Sequence, residues 1–284
     1  MHEVNDNIGA HMSISGGVHK AIERGKSVRH QVVQIFTKNN MQWQAKEFAS
    51  AELDAFQKAK DDSGIHSVIA HNSYLINLAA LKEDTYEKSM LAFADEMKRC
   101  HQLKIKYLVF HPGSHGGAGE ENGLNKIAES LNRLLDKHNK WEVHPTFETT
   151  AGQGKNLGYS FEHFNYLLDK IEQKERIAFC VDTCHIFAAG YDISTEEGYK
   201  KTFDAFDSSI GLDKIAVFHV NDSKKELGSR VDRHEHLGKG TIGVDAFRLL
   251  MKDERFKDVP KILETPKGDD LKEDIINTNL LRSF

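Results

Sequence analysis

The chain carries 16 histidines and 43 acidic residues among 284, and a subset of them recurs at one kind of place, the end of a short apolar run. His71 closes SVIAH, His111 follows YLVF, Glu148 closes PTFE, Asp182 closes IAFCVD, His219 closes IAVFH and Glu264 closes KILE. His185 stands just beyond Asp182, and Asp232 and His234 lie in the SRVDRHEH segment. Alternate residues of an extended segment share a face, so Asp232 and His234 point one way and Arg233 the other. A single histidine at a strand end is ordinarily a hydrogen-bonded structural residue. The set is different, because four carboxylates gathered in one cavity repel and raise one another's pKa values unless cations neutralise them. Imidazole with carboxylate and no thiolate suits zinc, with manganese and iron as alternatives. Nine ligands, one of them bridging, give about ten bonds, or roughly three for each of three ions, which leaves the open positions of a catalytic site. Three divalent ions bring roughly +6 against −4 from the carboxylates, so a chain of net charge −5 would present a cationic mouth to an anionic substrate.

Eight apolar runs read as strands: 7–13, 32–37, 67–72, 107–113, 145–150, 177–183, 215–222 and 261–265. A polar turn and then a helical pattern follow them. Leu124, Ile127, Ala128, Leu131, Leu134 and Leu135 keep helical spacing, as do Met90, Phe93, Ala94 and Met97, and again Phe161, Phe164, Leu167, Leu168 and Ile171. Ser194 and Glu197 have the spacing of a capping box and predict a helix start. Strands that alternate with helices form a covered parallel sheet, and eight such units close most naturally into a (β/α)8 TIM barrel. The competing architecture is an open doubly wound sheet, which the missing G-x-G-x-x-G after the first strand disfavours. With no linker-like segment, the reading is one α/β barrel domain over residues 1–284. In such a barrel the C-terminal ends of the strands build the active site, and there the metal-type residues fall.

The composition of 39% hydrophobic and 29% charged residues, with mean hydropathy −0.53, excludes disorder and a membrane protein. No apolar signal core begins the chain, so a cytoplasmic location is expected. Three cysteines fit a reducing compartment, and Cys180 and Cys184 read as buried strand residues of an apolar run, with a redox or metal pair as the disfavoured alternative. A monomer with no nucleotide cofactor completes the expectation.

Clustered divalent ions stabilise the attacking and leaving oxygens of a phosphoryl displacement and lower the pKa of bound water to near 7. Phosphodiester hydrolysis uses all of this. A sugar isomerase or epimerase needs only one or two ions, and a protein that merely binds damaged DNA needs no such ligand set.

The segments AHNSYLINLA, FHPGSH, ETTAGQGKNLGYSFEH, VDTCHIFAAGYD, FHVNDSKKELGSRVDRHEHLGKGTIG and ILET resemble the endonuclease IV family of apurinic/apyrimidinic endonucleases nearly end to end. The resemblance implies a barrel with three zinc ions that cleaves duplex DNA 5′ to an abasic site, leaving a 3′-hydroxyl and a 5′-deoxyribose phosphate. It implies that His71 and His111 hold one zinc, which shares Glu148 with a second held by Asp182, His219 and Glu264, while His185, Asp232 and His234 hold the third. Manganese could replace zinc at one or more positions. A metal-bridging hydroxide would attack the phosphorus, with Glu148 and Glu264 as catalytic carboxylates and Glu264 orienting or deprotonating the nucleophile.

The loop TKNNMQW, with Lys38, Met41 and Gln42, and Tyr74 in HNSYLINL resemble the family's DNA-contacting loops. Met41 stands where the family often has arginine, so an insertion from this loop would act by apolar wedging. Tyr74 would wedge or stack, with rim packing as the alternative, and Trp43 is a neighbouring candidate whose alternative is the core. Lys224, Arg230 and Arg233, with Lys225 and Lys239, would grip the flanking phosphates. The glycines Gly152, Gly154 and Gly158 suit either close DNA approach or a tight turn. His11 is expected beside the ligands or in packing.

Overall fold

The computed structural model describes residues 6–284, so part of the N-terminal segment read above as lacking a signal core, residues 1–5, lies outside the described residues. Strands and helices alternate from β1 (Ile8–His11) through α1 (Val18–Ser27), β2 (Val32–Phe36), α2 (Ser50–Asp61), β3 (Ser67–His71), α3 (Glu83–Gln102) and β4 (Tyr107–Phe110) to α4 (Glu120–Lys137). There follow β5 (His144–Glu148), α5 (Phe161–Lys170), β6 (Ala178–Asp182), α6 (Thr183–Ala189), α7 (Glu196–Ser209) and β7 (Ile215–His219). A short antiparallel ribbon of β8 (Asp222–Ser223) and β9 (His234–Glu235) then precedes α8 (Val244–Lys252), β10 (Lys261–Leu263) and α9 (Lys272–Arg282).

The eight strands other than β8 and β9 close in the order β1-β10-β7-β6-β5-β4-β3-β2, every neighbouring pair parallel. Seven of the expected runs each contain one barrel strand, whereas the run 145–150 begins one residue late and ends two residues beyond β5, which spans His144–Glu148. No helix among the described residues is long and apolar enough to cross a membrane.

Side chains alternate across the wall, and the alternation creates two separate cores. Val33, Ile35, Val68, Ala70, Leu108, Phe110, Phe147, Phe179, Val181, Phe218 and Leu263 join the outer core under the helices. There aromatic rings meet edge to face, as Phe93 and Phe110 do at 5.0 Å, a pairing worth roughly 0.5–1.5 kcal/mol beyond area burial. Val32, Ile69, Val109, Cys180, Val217 and Ile262 form a second apolar cluster, filling the lumen. Because the strand period is two, the next inward positions are Gln34, His71, His111, Asp182, His219 and Glu264, and Glu148 follows Thr146 in the same way. A dry layer thus supports a polar one at the C-terminal mouth.

The helical faces of α3, α4 and α5 are buried as their spacing predicts. At α7 the start is displaced by one residue. Thr195 is the N-cap and its hydroxyl accepts from Gly198 N at 3.1 Å, whereas Ser194 is occupied by the carboxylate of Asp192 at 2.6 Å.

Candidate metal centre

The strand ends deliver their ligands without help from the loops. His71, Glu148, Asp182 and His219 are the last residues of β3, β5, β6 and β7, while His111 and Glu264 come immediately after β4 and β10. Asp182 is also the N-cap of α6, where its Oδ1 accepts from the His185 amide at 2.8 Å and fixes His185 in the first helical turn. His234 opens β9, and Asp232 precedes it by two residues on the same extended segment.

Ligand atoms come together in four groups, each within 4.8 Å: His71, His111 and Glu148; Glu148, Asp182, His219 and Glu264; His185, Asp232 and His234; and Asp182, Cys184 and His234. Glu148 belongs to two of them. Its Oε2 lies 3.0 Å from His71 Nε2 and 3.1 Å from His111 Nε2, and its Oε1 lies 2.9 Å from His219 Nδ1 and 3.3 Å from His185 Nδ1. One fully buried carboxylate therefore faces four imidazoles.

Backbone carbonyls hold several rings by the opposite nitrogen. His71 Nδ1 lies 2.8 Å from Asn72 O, His185 Nδ1 lies 2.8 Å from Thr149 O, and His234 Nδ1 lies 3.3 Å from Glu264 O. A neutral imidazole has one hydrogen, so donation through Nδ1 leaves Nε2 bare for a cation. Asn221, which the sequence reading passed over, donates to Asp182 Oδ2 at 2.8 Å and accepts from Glu264 N at 2.9 Å. Gln153, also passed over, accepts from Asp232 N at 3.1 Å and so steadies the outermost ligand segment.

Electrostatics follow the geometry. Burial alone would push the carboxyl of Glu148 up, but His219 and His111 outweigh it and hold it well below the usual carboxylate range. Burial of Asp232 is likewise overcome by His185, leaving it at about 2. Burial pulls His71 and His185 down, and their carboxylate neighbours, Glu148 for the first and Asp182 and Asp232 for the second, more than restore them, so both end above the ordinary imidazole value. Burial pushes the Cys180 and Cys184 thiols up to about 12. In this state protons occupy nitrogens that a cation would need. Binding of zinc to the metal-free chain at pH 7 should therefore release protons, and loading should weaken as pH falls. Calorimetric titration in two buffers of different ionisation enthalpy reads the release directly, and identical heats in both would contradict it.

Other expected residues lie around this mouth. Met41 and Tyr74 are 69% and 60% exposed, and Gln42 is exposed next to Met41. The Tyr74 ring stands 5.6 Å from that of His71 and 6.3 Å from that of His111, so it forms part of the rim. Trp43 packs partly on the core. Lys224 is exposed with Glu235 at 3.8 Å, Arg230 covers the Tyr159 ring at 4.3 Å, and Arg233 is exposed. Gly152, Gly154 and Gly158 all have positive φ, which turn geometry requires. His11 lies 3.7 Å from Glu264 and packs on Phe36.

Lys38 is a correction. Expected to face DNA, it is buried, with its ammonium 2.9 Å from Asp95 and 3.6 Å from Glu96 on α3 and donating to Trp43 O at 3.2 Å. The carboxylates of α3 draw it inward, and it fastens the loop bearing Met41 rather than presenting charge outward. Glu96 also accepts from Ser73 N at 3.1 Å, and Ser73 Oγ donates to Asn40 O at 2.6 Å. The two exposed loops are thus joined one residue before Met41 and one residue before Tyr74.

The model of the xylose isomerase-like TIM barrel family matches residues 30–281. A protein of Chloroflexus aggregans named "Probable endonuclease 4" is 55% identical over 97% of this chain and 96% of its own length. The chain belongs to the endonuclease IV family. Among solved structures, the endonuclease IV of Thermus thermophilus superposes with a TM-score of 0.85 at 35% identity, covering 97% of both chains. A 3-keto-D-glucoside 4-epimerase from E. coli has a TM-score of 0.71 at 11% identity, covering 99% of this chain and 100% of its own, and shares the fold alone. Endonuclease IV membership accordingly rests on the sequence as well as on the barrel.

Proposed function

We propose that this member of the endonuclease IV family is a metal-dependent DNA repair hydrolase that cleaves duplex DNA 5′ to an abasic site. The observation that carries the reading is Glu148, which belongs to two ligand groups at once and so has the placement of a bridging ligand. The donor set fits divalent cations, since imidazoles and carboxylates converge, and Cys184, the thiol that joins Asp182 and His234, is held protonated by burial at about 12. Three zinc ions match the three groups made of imidazole and carboxylate alone, and manganese is an acceptable substitute at one or more of them. When bound, such ions polarise the phosphoryl oxygens and lower the pKa of water to near 7.

The residues of the chain then do the positioning. Glu148 holds the first two groups in register, and Glu264, with Oε2 turned to His219 Nδ1 at 3.3 Å, is placed to orient the attacking water or take its proton. The bond from water oxygen to phosphorus forms as the bond from phosphorus to the upstream 3′-oxygen breaks. The products are a 3′-hydroxyl and a 5′-deoxyribose phosphate. Tyr74, Met41 and Gln42 enter the minor groove beside the lesion, while Lys224, Arg230 and Arg233 meet flanking phosphates. One chain supplies every ligand, so a monomer suffices.

The test is a zinc-loaded preparation on a duplex oligonucleotide with one synthetic abasic residue, run beside free ketoses. Nicking that leaves a polymerase-extendable 3′ end is expected, with no change in the sugars. Epimerised sugar and intact DNA would transfer the site to the rival chemistry of the shared barrel.

A further inference from the structure

Gln34 lies fully buried on β2, on the inward face two residues beyond Val32. Its Nε2 donates to Glu264 Oε1 at 2.6 Å and lies 3.1 Å from His11 Nδ1, and its Oε1 lies 2.7 Å from His219 Nε2. These contacts determine one another. An ionised carboxylate offers no hydrogen, so the amide must turn its NH2 toward Glu264. Its oxygen then faces His219 and can only accept, so Nε2 of His219 carries a hydrogen and keeps it when the ring is neutral. Nδ1 is thereby the nitrogen that gives up its proton to a cation, and it points at Glu148 Oε1, 2.9 Å away, Glu264 Oε2, 3.3 Å away, and Asp182 Oδ2, 3.9 Å away. The same hydrogen bond occupies Oε1 of Glu264 and leaves Oε2 for the group.

His71, His185 and His234 have their opposite nitrogens beside backbone carbonyls and reach their groups through Nε2. His219 reaches its group through Nδ1, and its outer nitrogen is held by a side chain. We infer that Gln34 is the positioning residue that selects the metal-binding nitrogen of His219 and the metal-binding oxygen of Glu264, and thereby sets cation affinity at the group they share with Asp182. This rests on the reading of that group as a metal site. A partner that orients ligands in this way is typically worth about 10–100-fold in metal affinity.

The experiment compares the full-length wild type with Gln34→Met, which keeps length and removes both hydrogen-bonding functions, and Gln34→Glu, which keeps the acceptor toward His219 and loses the donor toward Glu264. Zinc affinity of the metal-free proteins is measured by competition with a chromophoric chelator, the His219 tautomer by nitrogen NMR of the zinc-loaded proteins, and metal-free stability by thermal unfolding. Gln34→Met should bind one zinc about 10–100-fold more weakly while the remaining ions bind as in wild type, and should lose the fixed tautomer. Gln34→Glu should keep the tautomer and still lose affinity, because a second carboxylate abuts Glu264. Unchanged affinity in both variants overturns the inference. So does an equal loss at every ion accompanied by a lower unfolding temperature, which would make Gln34 a packing residue. If Gln34→Met does not fold, Gln34→Glu decides by its affinity. A wild type that takes up no zinc would instead remove the metal reading itself, so the two failures are distinct.

Discussion

Replacing Glu148 by glutamine should reduce abasic-site nicking by about a thousandfold or more. The side chain is fully buried, and each of its oxygens lies near two ring nitrogens, at 2.9 to 3.3 Å. Glutamine has nearly the same shape, but one terminus becomes an NH2 group with no lone pair to offer a cation, and the bridging charge disappears. Charge stabilisation by metal ions supplies several kcal/mol of the barrier reduction, and each 1.36 kcal/mol is a factor of ten. The fold should survive, because the surrounding imidazoles can release their protons and leave no uncompensated buried charge. The measurements are single-turnover nicking of the abasic duplex, zinc content and circular dichroism. A variant with normal content and normal rate would end the bridging role.

What could be read in the sequence was whatever depends on period two. Ile69 with His71, Val109 with His111 and Cys180 with Asp182 are each separated by two positions in an apolar run, so strand geometry alone stacks a polar residue above a lumen-filling one. Asp232 and His234 were legible for the same reason. Gln34 obeys the same spacing from Val32, and a neutral amide inside the run VVQIF is the available signal, an inconspicuous one because an amide is not a metal-type residue. Lys38 could not be read, since its partners Asp95 and Glu96 stand on a distant helix and nothing in TKNNMQW indicates that they approach. The start of α7 failed on a local competition, as Asp192 occupies the serine that the spacing nominated. Pattern thus located the residues that the barrel itself orients, and missed those whose role depends on a side chain elsewhere.

Gly9→Ala should destabilise the barrel by about 3 kcal/mol or more, at the upper end of what overpacking costs. Gly9 pairs with Val32 on one side and Ile262 on the other, at the strand that closes the barrel. A Cβ there would sit 1.7 Å from the Val32 carbonyl oxygen and 2.6 Å from its carbon. Those are backbone atoms, so no rotamer change relieves the overlap, and β1 must part from β2. At about 2–4 °C per kcal/mol for a chain approaching this size, unfolding should come roughly 6–12 °C earlier. The displacement would also reach the mouth, because His11 and Gln34 are register partners along the same pair of strands. Scanning calorimetry of the metal-free proteins isolates the closure term from ligand binding, and adding zinc then tests the coupling. An alanine variant that unfolds within about 2 °C of wild type, less than one kcal/mol on that scale, would show that β1 yields without cost, and the stiffness ascribed to the barrel wall under His11 and Gln34 would have to be abandoned.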